Sequence, residues 1–259
     1  MDPAIERANA RSRTYLFFAQ ALVHPAESAW LPELTESPEV LGQWLASSHL
    51  VVAASRLETL RRSFLAGEER GTLREECVRL FGNLRGAGCS PYETEFSNAH
   101  VFQRAQQMAD IAGFYRAFGI QTSAEGERVD HIAMELEFLH LLACKEAYAA
   151  QNDPGQVEVC QEAQGKFLAD HLGRWTGIFA EVVARTTTEE FYVEVTRLLD
   201  EFVAQDAASL GVQPERIAAP PPRRREEDED ERAMCGASGD FVEVSQIASP
   251  DPDRRGGKP

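Results

Sequence analysis

The chain has little positive charge, no cysteine framework, no long apolar run and none of the familiar catalytic signatures. Each absence removes a class of function. Lys and Arg number 26 against 42 Asp and Glu, a formal net charge of −16. Nucleic-acid binding is disfavoured, because phosphates demand a basic face; a cationic partner is favoured, because a negative surface attracts it at long range. The five cysteines (Cys77, Cys89, Cys144, Cys160 and Cys235) form no CxxC pair and stand at no zinc-finger spacing from a histidine, which points to reduced thiols in a reducing compartment. No stretch reaches the roughly 20 consecutive apolar residues of a membrane span, so no stable membrane insertion is expected.

The N-terminal run Tyr15-Leu16-Phe17-Phe18-Ala19-Gln20-Ala21-Leu22-Val23, preceded by Arg11-Ser12-Arg13, has some features of a signal peptide. It is short and interrupted by Gln20, with acidic Asp2 and Glu6 upstream and no clean cleavage site after it. An amphipathic first helix is the better reading, and the protein is read as cytoplasmic.

What is present is helical signal, almost from end to end. A first helix is expected over about 4–23, stopping before Pro25. Ser37-Pro38 opens a second toward about 66, with a break near Ser47-Ser48. Thr72 and Glu75 stand at capping-box spacing for a short helix through Phe81. Three glycines and Pro91 make 82–91 a loop. A helix over about 98–118 carries Val101, Phe102, Ala105, Met108, Ile111, Ala112, Tyr115 and Phe118 at spacings of three and four. Asp130 is suited to cap a strongly apolar helix over 131–151, whose Ile132, Leu136, Leu139 and Ala143 are joined by Phe138 and Leu142; a helix apolar over so much of its circumference sits centrally in a bundle. Asp153-Pro154 starts another, running to about 184 with a kink near Gly173. Thr187 and Glu190 suggest a capping box for the last helix, about 188–208, stopped by Gly211.

Beyond Gly211 the composition changes. Ala218-Ala219-Pro220-Pro221-Pro222 is a stiff linker. Arg223 to Arg232 contains no apolar residue, and the remainder is rich in Gly, Ser, Asp and Pro. Such a segment buries too little to offset its ordering entropy and is expected to be disordered, although Asp240–Ile247 alternates enough to dock as a strand or linear motif. From Gly211 onward there are 11 acidic and 8 basic residues, so about −13 of the charge belongs to the folded part. The fold class is therefore all-α: a single-domain helical bundle of about seven to ten helices over 1–211, followed by a Pro-rich, charged tail over 212–259.

No Walker-type loop, Gly-x-Ser-x-Gly elbow or His-Glu-x-x-His is present, and no cofactor is expected. His131 and Glu135 share one helical face with Asp130 beside them, half of a metal site that lacks its second pair; no metal is expected. From spacing alone Asp130-His131 reads first as a cap, since a carboxylate at a helix N-terminus accepts its free N–H groups. Tyr92-Glu93-Thr94-Glu95-Phe96 reads either as a loop pinned by two aromatic anchors or as a pair of carboxylates on an aromatic rim, suited to an arginine-bearing peptide. The enzyme reading would need His131 and Glu135 to act with further ligands. A scaffold or regulatory adaptor acting through the acidic tail is a further alternative.

Three stretches together resemble the TorD/DmsD/NarJ family of maturation chaperones. They are Leu80-Phe81 leading to Pro91-Tyr92-Glu93-Thr94; Asp130-His131-Ile132-x-x-Glu135-Leu136-x-Phe138-Leu139; and Phe167-Leu168-x-x-His171-Leu172-x-x-Trp175-x-x-x-Phe179. Each alone is weak; their order and separation over about 5–210 make the likeness specific. Two departures stand out: Gly86-Ala87-Gly88-Cys89-Ser90 replaces a Gly-Pro type loop, and Arg128-Val129 occupies the places where a proline often precedes Asp-His. The resemblance implies a non-enzymatic chaperone. Its partner would be the immature catalytic subunit of a molybdopterin-containing oxidoreductase with a twin-arginine signal peptide, held until its cofactor is inserted. It also implies that Tyr92, Glu93, Glu95, Asp130, His131 and Glu135 form the client or signal-peptide site, with Phe138, Leu139, His171 and Trp175 as packing residues.

Overall fold

The first helix starts where local chemistry sets it. Asp2 accepts a hydrogen bond from the Ala4 N–H at 2.9 Å, and Pro3 occupies the first helical position, where its missing N–H costs nothing. This helix, α1 (Pro3–Leu22), is followed in the computed structural model by α2 (Pro38–Ser47), α3 (Ala54–Arg70), α4 (Thr72–Phe81), α5 (Val101–Ala117), α6 (Ile132–Asn152), α7 (Val157–Asp170), α8 (Leu172–Thr186) and α9 (Glu190–Ser209). The structure describes residues 2–23, 34, 38–82, 89–97, 101–121 and 127–218. Ser37, the middle of the glycine-rich loop, the 123–126 connection and the charged and alternating stretches after Pro220 lie outside the described residues. The nine helices and the isolated Tyr92–His131 bridge establish the expected all-α bundle among the described residues.

The centre is the pair α1 and α6, packed along most of their lengths; α2 packs on α1, α7 on α6, and α9 on α8 and α3. Ile132, Leu136, Phe138, Leu139 and Leu142 of α6 are all buried, as are Tyr15, Phe17, Phe18 and Leu22 of α1. Complete burial of one such side chain is worth roughly 1.5–3 kcal/mol relative to exposure, so the shared seam is the main hydrophobic asset of the fold. The N-terminal run that superficially resembled a signal peptide is thus a core helix.

Polar residues of α1 are buried too. The Arg11 guanidinium lies 2% exposed, donating to Glu146 of α6 at 2.7 Å, to Gln164 of α7 at 2.7 Å and to both oxygens of Asp206 of α9. Tyr15 donates to the same Asp206, and Gln164 and Gln161 donate to Glu146. Burial opposes the charge on Arg11, but Asp206, Tyr15 and Glu146 together outweigh it and raise the pKa further. Four helices are tied to one cation this way.

Several boundaries differ from those read in the sequence. The Thr72–Glu75 box does not cap α4; Gly71, at φ +69°, makes the tight link from α3, and the Thr72 hydroxyl donates back to the Gly67 carbonyl. Thr187 accepts from the Glu189 N–H at 3.0 Å and donates to Glu76, so it braces the turn before α9 instead of capping it. The expected kink near Gly173 is a break at His171, where backbone angles leave the helical region. After Gly211 (φ +74°) the chain continues along the bundle: Val212 and Ile217 pack against the core, and the Ile217 N–H donates to the Arg174 carbonyl. Pro214 lies where a Cβ on Gly173 would sit, at 2.5 Å, so the packed body runs beyond Gly211.

Candidate functional site

The residues singled out around 92–95 and 130–135 meet at the start of α6. Segment 91–93 pairs with 130–132 in an antiparallel bridge: the Ile132 N–H donates to Pro91 and the Glu93 N–H to Asp130. This brings the loop down onto the helix, and a one-turn 3₁₀ helix, Glu93–Glu95, follows.

Asp130 does not cap α6. His131 does, its Nδ1 accepting from the Ala133 N–H at 3.1 Å. An accepting Nδ1 carries no proton, and burial pulls the imidazole pKa down against the opposing carboxylates Glu127 and Asp130. Asp130 instead points under the loop. It is fully buried and accepts from the Thr94 N–H (3.2 Å) and hydroxyl (2.7 Å), and bidentately from Arg128 Nε (3.0 Å) and Nη2 (2.8 Å). The reason is competition: a carboxylate offered a guanidinium fork gains more than it would from free helix N–H groups.

Glu93 and Glu135 are not on an open rim either. Glu135 is completely buried, with Trp175 Nε1 donating to one oxygen at 3.3 Å and no donor at the other. Burial, then the neighbouring Glu93 carboxylate, raise its pKa well above the usual range, which favours the neutral acid. Glu93, 4% exposed, lies 3.2 Å from His171 Nδ1. His171 Nε2 stands 3.4 Å from Asp110 without the alignment of a hydrogen bond. His171 and Trp175, read as packing residues, are buried as expected but also complete this polar chain. Among the described residues no cluster of three His, Cys, Asp or Glu has the geometry to hold a metal. Of the six singled-out residues only Glu95 is appreciably exposed, paired with Arg104 at 3.1 Å.

The open surface lies beside them. A cleft of about 430 Å³ is bounded by Leu22, Val23, Val78, Phe81, Ala133 and Met134, with His131, Glu127 and Glu137 at its polar edge. A second cleft of about 240 Å³, lined by Leu16, Ile120 and Leu141, shares Met134 and Glu137 with the first. Together they make an apolar groove along α6 with carboxylates on its margin. Burial pushes the Glu127 pKa up, but hydrogen bonds from the Arg128 N–H and the Tyr92 hydroxyl, with nearby positive charge, together outweigh it and keep the group below the usual carboxylate range. Arg128, Thr94, Glu127, Glu137 and the groove were not read from sequence. For Arg128 there was a signal: a cation two residues before a carboxylate in an extended segment.

An acid-rimmed groove thus lies on the helical bundle beside a buried polar centre. Comparison with known proteins gives the family. The family model described as "Nitrate reductase delta subunit" matches residues 50–181. Over 212 residues the chain is 35% identical to the perchlorate reductase assembly chaperone protein of Dechloromonas aromatica, covering 77% of this chain and 89% of that one. It is 28% identical over 217 residues to the chlorate reductase assembly chaperone protein of Ideonella dechloratans (83% and 97%), and 30% identical over 135 residues to the chaperone protein TorD of Aliivibrio fischeri (52% and 61%). The chain belongs to the TorD/NarJ family, and it is a chaperone and not an enzyme.

Proposed function

We propose that this protein is a cytoplasmic, system-specific chaperone for a reductase of the molybdopterin type. It binds the immature catalytic subunit, engages the twin-arginine signal peptide, and holds the subunit back from export until its cofactor is inserted. The observation that carries the reading is the groove along α6, apolar at Leu22, Val78, Phe81 and Met134 and edged by Glu127, Glu137 and His131. A signal peptide with a cationic end and an apolar helix-forming segment is complementary to it, the apolar face lying in the groove and the cations at the carboxylates. The names of the relatives, assembly chaperones for perchlorate and chlorate reductases, support a redox-enzyme client of that class.

Within this reading the six residues divide by position. His131 and Glu95 meet the client directly. In the unbound protein Asp130, Glu93 and Glu135 lie beneath, holding the 91–96 loop against α6, and Tyr92 seals the join. The binding activity resides in the helical body and not in the tail from 212 to 259.

The test is affinity capture from the host's own cytoplasm under respiratory induction, read by mass spectrometry. The expected catch is one molybdenum-enzyme catalytic subunit with its signal peptide uncleaved. Capture of only the processed subunit removes the signal-peptide contact; capture of no such subunit removes the client assignment. Truncation after Ala218, which keeps the packed Val212–Ile217 stretch, should leave the catch intact, and its loss would transfer the activity to the residues beyond.

A further inference from the structure

Arg128 sits in a setting built for a guanidinium. Its fork meets both oxygens of Asp130, at 3.0 and 2.8 Å, while Nη2 also donates to the Thr94 hydroxyl at 3.0 Å. Its planar end stacks on the Tyr92 ring, 4.1 Å from the centroid. A bidentate carboxylate, an aromatic face and a polar oxygen are the three elements by which proteins select arginine over lysine. The seat is rigid and preformed: Asp130, Thr94 and Tyr92 are all buried, and the Thr94 N–H and hydroxyl hold the carboxylate in place. Its occupant is not. The Arg128 side chain is 41% exposed and lies on the solvent side of a fully buried carboxylate. Glu127, with its charged carboxylate, is the next residue along the chain, and it also edges the apolar groove.

We propose that Arg128 is an internal placeholder, occupying the arginine seat that an incoming client's arginine takes over. This rests on the proposed function for its supposition that the client presents arginine. Binding is then an exchange. The client's guanidinium replaces Arg128 on Asp130 and Tyr92, Arg128 swings into solvent, and the apolar segment behind the client's arginine falls into the groove. The placeholder prevents a buried carboxylate from standing unpaired in the empty chaperone, and it weakens capture of any cation that lacks the groove-binding segment. The apparent affinity is lowered by the fraction of time the seat is occupied in cis.

The experiment compares the full chain with Arg128→Ala in calorimetric titration against a synthetic peptide carrying paired arginines followed by an apolar helix-forming segment. Arg185→Ala is the control for charge, since among the described residues Arg185 pairs with exposed Glu181 one turn away on α8. The expected result is that Arg128→Ala binds about tenfold tighter than the parent, that Arg185→Ala is unchanged, and that a peptide with lysines in place of arginines gains nothing. Arg128→Lys, which keeps the charge but not the fork, should fall in between. Equal or weaker binding by Arg128→Ala overturns the placeholder while leaving the client reading intact. A gain shared by the lysine peptide or by Arg185→Ala also overturns it, as a net-charge effect. If neither protein binds any arginine peptide, the signal-peptide contact of the proposed function fails. The seat is then judged by methylguanidinium at millimolar concentration, which should raise the Tm of Arg128→Ala and not of the parent, with methylammonium as control. No selective rise removes the seat as well.

Discussion

Two buried polar clusters lie within this bundle, and they are built on opposite terms. Around Arg11 the cation meets two carboxylates and an amide, Tyr15 closes on Asp206, and the two glutamines close on Glu146. Around Glu93, Glu135 and His171 the chain of contacts is incomplete: one oxygen of Glu135 and one nitrogen of His171 find no hydrogen bond, and a cation enters only at the edge, through Arg128 on Asp130. The first cluster joins four helices. The second lies under a short loop beside a groove. A fully satisfied network specifies packing, whereas an incomplete one leaves buried polar groups without partners, and that difference separates the two clusters.

The sharpest way to break the comparison is to remove the cation from each. Arg11→Met leaves Asp206 and Glu146 charged and buried without their partner, so a loss of roughly 3–5 kcal/mol is expected in urea unfolding. A cost below about 1 kcal/mol would show the closed cluster to be dispensable. Asp130→Ala should cost less, about 1.5–3 kcal/mol, because Arg128 can turn to water while the Thr94 N–H and hydroxyl lose a charged acceptor. It should also raise amide exchange in 91–96, and unchanged exchange there would remove Asp130 as the anchor of the loop.

Acidity separates the clusters further. Glu135 keeps its proton in the fold, whereas the unfolded chain releases it above the ordinary glutamate value near 4.5. The folded state therefore binds more protons above that pH, and the stability from this group falls as pH rises, until the folded pKa is passed. Glu135→Gln carries a neutral amide at every pH. It should be more stable than the parent at pH 8, with the gap closing toward pH 5. A gap that does not move with pH would mean that Glu135 is charged in the fold. The smallest effect is at the surface: Glu95→Gln breaks a half-exposed pair with Arg104 and should change stability by less than about 1 kcal/mol, while weakening binding of a cationic peptide in low salt. Unchanged binding in low salt would take Glu95 out of the client contact.

Much of this molecule could be read before folding. Helix positions follow from apolar spacings of three and four, from Asp2-Pro3 and from Gly211, all of which act within a turn or two of the chain. The stretches Pro91–Thr94, Asp130–Leu139 and Phe167–Phe179, which carry the resemblance, meet at the start of α6. Capping roles were misread at Asp130, Thr72 and Thr187, because each side chain found a better partner than its own helix end. Asp130 took Arg128 and Thr94, Thr72 the Gly67 carbonyl, and Thr187 Glu76.

What the chain determined locally is therefore an acidic, all-helical body with its strongest apolar helix at the centre. What only the tertiary structure decided is which polar residues are buried and with whom. Arg11 reaches Glu146 and Asp206, which lie 135 and 195 residues away, and Trp175 reaches Glu135 across 40. No local period records such pairings, yet they determine charge: the same carboxyl group is neutral at Glu135, where water is excluded beside another acid, and ionised at Glu127, where two donors and solvent reach it.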